Sequence, residues 1–249
     1  EENAELIYSD LEFFSAFRGA RARFASLTRL RGWEHSPYRN LQPGLAARLE
    51  RLASCRRIQE GGDLGCAMVA SVASFLQAAG TKEFFQESFQ LKKGASLHPE
   101  EITRRLVRFG YTPGDSVEDP GSFSLRGAIL DVFAPSHDHP LRIEFFDETI
   151  ESIRMFNPET QRSVRILSDA ESIELIPARE FPCDLETLQQ GRERLKDWAD
   201  RNDIPRAARD RVSSLLGQGI VTPEMEYMIP FFRERGAWIT DLLPSDTAL

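Results

Sequence analysis

Histidine and cysteine are scarce, with four and three copies in 249 residues. Histidine is the commonest general base near neutral pH, so few positions offer one. Cys55, Cys66 and Cys183 stand alone, without a CxxC pair or metal-ligand spacing. An odd number of isolated cysteines suits a reducing, cytoplasmic setting rather than a disulfide framework. His137 and His139 flank Asp138 with no further ligands nearby, so they read as a solvated loop rather than a metal site. No apolar run approaches the roughly 20 residues that span a bilayer, and no membrane partner is expected. The opening "EENAEL" lacks the basic-then-apolar order of a secretion leader. A chain that starts at Glu1 without a methionine reads as a piece of a longer one.

Positive charge is also short. The net charge is −8, which argues against the chain as a whole coating nucleic acid, where many Lys and Arg contacts to phosphate are needed. The first sixty residues go slightly the other way, with ten arginines against eight acids. "FRGARARF" and "SCRR" there read as solvated helix faces. Nucleotide chemistry lacks its usual parts. The only glycine cluster of the opening region, "EGGDLG" (60–65), carries acids and no lysine. It would repel the phosphates that a GxxxxGK[ST] loop cradles. GxSxG and HExxH are missing. Glu100–Glu101 and Glu118–Asp119 read as helix-start and loop charges. No catalytic residue, metal or cofactor is expected for this stretch of chain.

What is present is a 41% hydrophobic sequence whose periodicity changes twice. "AELIYS" (4–9) reads as a buried strand, and a helix capped by Asp10 follows with Leu11, Phe14, Phe17 and Ala20 on one face. A strand over 25–30, a loop over 32–44, a helix over 45–55, a strand over 66–71 and a helix over 72–80 come next. Alternating strands and helices imply a parallel sheet. From about residue 88 the order becomes a helix (97–111) and then strands at 122–126, 128–133, 141–146, 149–156 and 172–178. A helix followed by a run of strands implies an antiparallel α+β module. Beyond residue 179 the chain turns helical again, with a last strand expected over 237–243. The fold class is therefore α/β: a parallel-sheet domain (1–87 and 179–249) split by an inserted α+β domain (88–178) with an antiparallel sheet.

Side chains alternate across a strand. In "LRIEFF", Leu141, Ile143 and Phe145 point to a core, leaving Arg142, Glu144 and Phe146 on the other face. In "SFSLRG", Phe123 and Leu125 point inward and Ser122, Ser124 and Arg126 outward. A face with two arginines and a phenylalanine has the composition of a binding hot spot. A plainer reading has Phe146 curling back to close its own hairpin and Arg142 pairing with Glu144 or Glu151 across strands. Gly127, between two strands, fits a bulge or a tight bend.

The stretches "GSFSLRGAILDVFAP", "LRIEFFDETIESIRMFNPETQRS" and "LIPAREF", with "GWEHSPY", "MVASVASFLQ", "LKKGASLHPEEITRRLVRFGY" and "MEYMIPFF" in the same order, resemble the amino-terminal UvrB-homology module of bacterial transcription-repair coupling factors (Mfd). The resemblance covers nearly the whole chain. It implies a degenerate helicase-like domain interrupted by a domain that binds UvrA. The contacts it carries over are Arg126, Arg142 and Phe146, the residues that alternation singles out. It implies a non-catalytic role, with the ATP-driven translocase, the polymerase-binding part and the DNA contacts supplied by the rest of the parent. It also implies that other domains of the parent can mask the surface. UvrB itself, an ATP-dependent damaged-DNA-binding protein, carries a Walker A loop and an aromatic hairpin. Neither is found here, and the passage from "GWEHSPYRN" to the helix at Leu45 leaves no room for the hairpin. An autoinhibitory domain acting on the translocase is the other alternative.

Overall fold

The computed structural model describes residues 2–16, 26–33, 41–60, 66–233, 238–243 and 247. The chain divides into two compact units: residues 83–189 form one continuous unit, and the segments on either side of it together form the other.

The split unit begins with α1 (Glu2–Ala16), β1 (Ser26–Leu30), α2 (Leu45–Glu60), β2 (Cys66–Ala70) and the short α3 (Val72–Phe75). β1 and β2 pair in parallel, with Thr28 opposite Met68. The strand expected over 4–9 is instead part of α1, so Asp10 lies inside a helix and caps nothing. Ala, Leu and Glu are strong helix formers, and "AELIYS" lacks the alternation that would hold a half-buried strand. Leu6 and Ile7 are exposed. The helix is tied to β1 by the pair of Glu5 with Arg29 at 2.8 Å and by Arg29 over the Tyr8 ring. The remainder of the helix expected after Asp10, from residue 17, lies outside the described residues. The helix expected over 72–80 stops after one turn. Arg51 of α2 is fully buried. It donates to the carbonyls of Arg31 and Ala78 at 2.9 Å and stacks on Trp33. Carbonyl partners and a ring face offset the desolvation of that charge.

The continuous unit runs through α4 (Lys82–Phe85, its first residue in the other unit), β3 (Phe89–Lys92), α5 (Pro99–Arg108), β4 (Thr112–Pro113), β5 (Ser122–Arg126), β6 (Ile129–Phe133), β7 (Leu141–Phe146), β8 (Thr149–Phe156), β9 (Ser163–Ile166) and β10 (Ser172–Leu175). β4 to β9 form one six-stranded sheet in chain order, antiparallel except for β4–β5. β10 leaves it and pairs with β3, so the strand expected over 172–178 does not extend the main sheet. One face of that sheet carries the core. Leu130 and Val132 of β6, Leu141, Ile143 and Phe145 of β7, and Ile150 and Ile153 of β8 pack with Ile102 and Leu106 of α5. The Tyr111 hydroxyl donates to the Ile176 carbonyl at 2.9 Å.

α6 (Leu185–Arg201) leads back into the split unit, followed by α7 (Arg206–Gly217), a 3-10 helix (Pro223–Phe232) and α8 (Ile239–Leu242). The strand expected over 237–243 is α8. Asp241 accepts from the Trp238 amide at 2.8 Å and so starts a helical turn, while Ile239 and Leu242 are buried three apart. Asp184 caps α6, accepting from the Thr187 amide at 3.0 Å and the Thr187 hydroxyl at 3.1 Å. Burial pushes the Asp184 carboxyl up, but the Thr187 donors and Arg108 outweigh it and hold it below its ordinary value of 3.8. A depressed carboxyl adds stability above the unfolded pKa and loses it as pH falls through the folded value. Asp184→Ala is expected to lower unfolding free energy by about 1 kcal/mol near neutral pH. In urea titrations its deficit should shrink below about pH 4, and Asp184→Asn should keep most of the cap.

Candidate protein-binding site

The site is the face of the six-stranded sheet opposite the core. Strand register builds it residue by residue. Ser124 of β5 lies opposite Asp131 of β6, Asp131 opposite Arg142 of β7, Arg142 opposite Arg154 of β8, and Arg154 opposite Ile166 of β9. Paired residues share a face, so this row crosses the sheet. Arg126 follows two residues along β5, and Phe146 four residues along β7.

Asp131 organises the row. Its carboxylate is 2% exposed and accepts three charge-assisted hydrogen bonds. Arg142 donates to Oδ1 from Nε at 2.7 Å and to Oδ2 from Nη2 at 2.8 Å. Arg126 donates to Oδ2 from Nη2 at 2.7 Å. Arg142 also donates to Gln161 Oε1 at 2.9 Å and lies 4.5 Å from the centre of the Phe156 ring. The hydrogen bonds to Asp131 raise the Arg142 pKa against the lowering effect of burial. The side chain of Arg142 is 18% exposed and that of Arg126 is 55% exposed. The expected pairing of Arg142 with Glu144 or Glu151 is not made. Glu144 is engaged by Arg154 and by the Ser152 hydroxyl at 2.7 Å.

Phe146 is 75% exposed, so it does not curl back into its hairpin. The β-bulge after Glu144 shows how the doublet is divided. Glu144 pairs with Ser152 and Phe145 with Ile150, which leaves Glu151 unpaired and sets Ile150 beneath Phe145 on the core side. Phe146 and Thr149 then close the hairpin on the outer side. Asp147 starts the two-residue turn with φ 56, a left-handed conformation that Asp tolerates better than most residues. The β5–β6 turn places Gly127 at φ 61, the first central position of a type II′ hairpin, where glycine is preferred. Leu125, expected inward, is 36% exposed; it belongs to β5, whose outer neighbour β4 is only two residues long.

Of the three residues expected from alternation, Phe146 projects as anticipated. Arg142 is committed mainly to holding the site. Arg126 keeps Nε and Nη1 without an acceptor among the described residues. Asp131 was not anticipated: residues 128–133 were expected to form a strand, without a role for its one acid. The signal in the sequence was one aspartate at an alternate position of an otherwise apolar strand; its pairing with a serine and an arginine emerges only from the register. Among the described residues no cluster of three potential metal ligands occurs, and no helix is long and apolar enough to cross a membrane.

Residues 89–181 match the family model described as the UvrB interaction domain. The transcription-repair-coupling factor of Myxococcus xanthus is 34% identical over 236 residues, which is 95% of this chain and 19% of the relative. That of Bacillus subtilis is 31% identical over 81% of this chain and 18% of its own length. The UvrABC system protein B of Pseudothermotoga lettingae is 28% identical over 68% of this chain and 24% of its own length. The fold and the matched span define a UvrB-type interaction module, and the chain belongs to the transcription-repair-coupling factor family as its UvrB-homology module. It spans about a fifth of the length of the coupling factors it matches.

Removing Asp131 leaves the mostly buried Arg142 charge without its partner. Asp131→Ala is expected to cost about 3 kcal/mol of unfolding free energy, while Phe146→Ala stays within about 0.5 kcal/mol. Chemical denaturation of the two variants checks the contrast.

Proposed function

We propose that this chain recruits UvrA through the outer face of the β5–β8 sheet, as the docking part of a repair-coupling factor. It acts by binding, without catalysis or a cofactor, in the cytoplasm. The rest of the parent brings RNA polymerase and DNA to the same assembly, and its other domains regulate access to the face. The observation that carries this reading is a protruding phenylalanine beside two arginines fixed on one buried carboxylate. The family description of residues 89–181 as a UvrB interaction domain supports it.

Each part of the face has a separate task. The Phe146 ring enters an apolar recess, and its burial contributes about 2 kcal/mol. Two guanidinium charges over one carboxylate leave the cluster with a net positive charge. A carboxylate or a set of carbonyls on UvrA meets the free edge of Arg126. Arg142 positions that edge indirectly, by sharing Asp131. Because Asp131 already orients both side chains, little rotamer freedom remains to be lost on docking. That makes the arginine pair a firmer anchor than two mobile surface cations.

Calorimetric titration of UvrA into the chain tests the reading. Phe146→Ala and Arg126→Glu are each expected to weaken binding by about thirtyfold, as hot-spot residues do, with thermal unfolding unchanged in Phe146→Ala and lowered in Arg126→Glu, which sets a second carboxylate beside buried Asp131. Affinities within about threefold of the parent chain for both variants would remove this face from the interface.

A further inference from the structure

A second concentration of charge lies in the split unit. We propose that the groove between α6 and α7 is a binding site for a multiply charged phosphate group. The groove encloses about 320 Å³, within the range of small-ligand pockets, roughly 300–1,000 Å³. Its polar lining is Arg192 and Lys196 from α6 and Arg206, Arg209, Asp210 and Ser213 from α7, with Leu195 beneath. Helical spacing explains the convergence. Positions 192, 195 and 196 share one face of α6, and positions 206, 209, 210 and 213 share one face of α7. Four cations and one acid thus line a single cavity in a chain whose net charge is −8.

The cations are held differently. Arg192 donates from Nε to the Ser213 hydroxyl at 2.8 Å. It also lies against Gly217, where an added Cβ would stand 3.3 Å from Nη1. It is therefore anchored across the groove with its remaining donors available. Arg209 pairs with Asp200. Lys196 and Arg206 have no carboxylate partner among the described residues, although Asp210 lines the same cavity. Arg206 is also the first residue of the twelve-residue α7, so the positive end of that helix adds to the field. Like charges brought together around one cavity repel unless an anion joins them. Arginine forks match the oxygens of phosphate in pairs. This density of positive charge suits a phosphate or pyrophosphate better than a lone carboxylate, which brings one charge and two oxygens.

The same chemistry is offered by a free oligophosphate and by the backbone of a nucleic acid. The test uses the whole chain at low ionic strength. Inorganic pyrophosphate is titrated by calorimetry, and a fluorescein-labelled single-stranded oligonucleotide by anisotropy. The variants are Lys196→Glu and Arg206→Glu, with Lys92→Glu on β3 as a control of equal charge change. Pyrophosphate binding that falls at least about tenfold in both groove variants and less than about twofold in Lys92→Glu supports the site and assigns a free oligophosphate. Oligonucleotide binding with that pattern, steep salt dependence and no response to pyrophosphate supports the site and assigns a phosphodiester backbone. Absence of binding to both probes, or equal losses in all three variants, overturns the proposal. The two groove positions and Lys92 are exposed, and thermal unfolding verifies that each variant is folded. None of these residues lies on the sheet face, so the result is independent of the UvrA reading.

Discussion

A buried aspartate under two arginines sets the rest of the binding face. Strand β6 carries Asp131 to a position that is 2% exposed, where an unpaired carboxylate would be strongly disfavoured. Arg142 and Arg126 neutralise it from the neighbouring strands, and in doing so they lose their own freedom. The sheet thereby presents a polar face that is ordered rather than mobile. Arg142 extends the arrangement to Gln161 and the Phe156 ring, so the β8–β9 connection is tied to the same carboxylate. The charge left over is positive, and the one large ring left outside is Phe146. Electrostatics and shape therefore mark the same patch.

Much of this was legible in the residues, and the failures have physical causes. Alternation in "LRIEFF" assigned five side chains of β7 correctly because one face meets a continuous core. It also placed Phe146 outside, where composition alone would have buried it. Asp131 escaped notice because a single acid among four apolar residues does not disturb a strand pattern. Its partners come from other strands, and only register joins them. β9 was missed for a related reason: all four of its residues are exposed, so it carries no alternation to detect. The segments 4–9 and 237–243 have the pattern of strands because short apolar runs fit either period. Helix-forming residues decided the first, and the Asp241 turn decided the second.

The two charged regions work by different physics. On the sheet face, positive charge is mostly cancelled by Asp131 and by the Glu144–Arg154 pair. What remains suits a specific protein surface with an apolar recess and a matching acid. Between α6 and α7, Lys196 and Arg206 line the cavity with no carboxylate partner among the described residues, while Arg209 pairs with Asp200, an arrangement that suits a small, highly charged ligand.

The claim at the centre of this account is that the outer face of β5–β8 becomes covered when UvrA binds. Amide hydrogen exchange of the chain, followed with and without saturating UvrA, tests it most directly. The account predicts slowed exchange in the β5–β6 and β7–β8 turns, around Arg126 and Phe146, with α6 and α7 unchanged. Unaltered exchange at both turns, together with protection confined to another part of the chain, would contradict it.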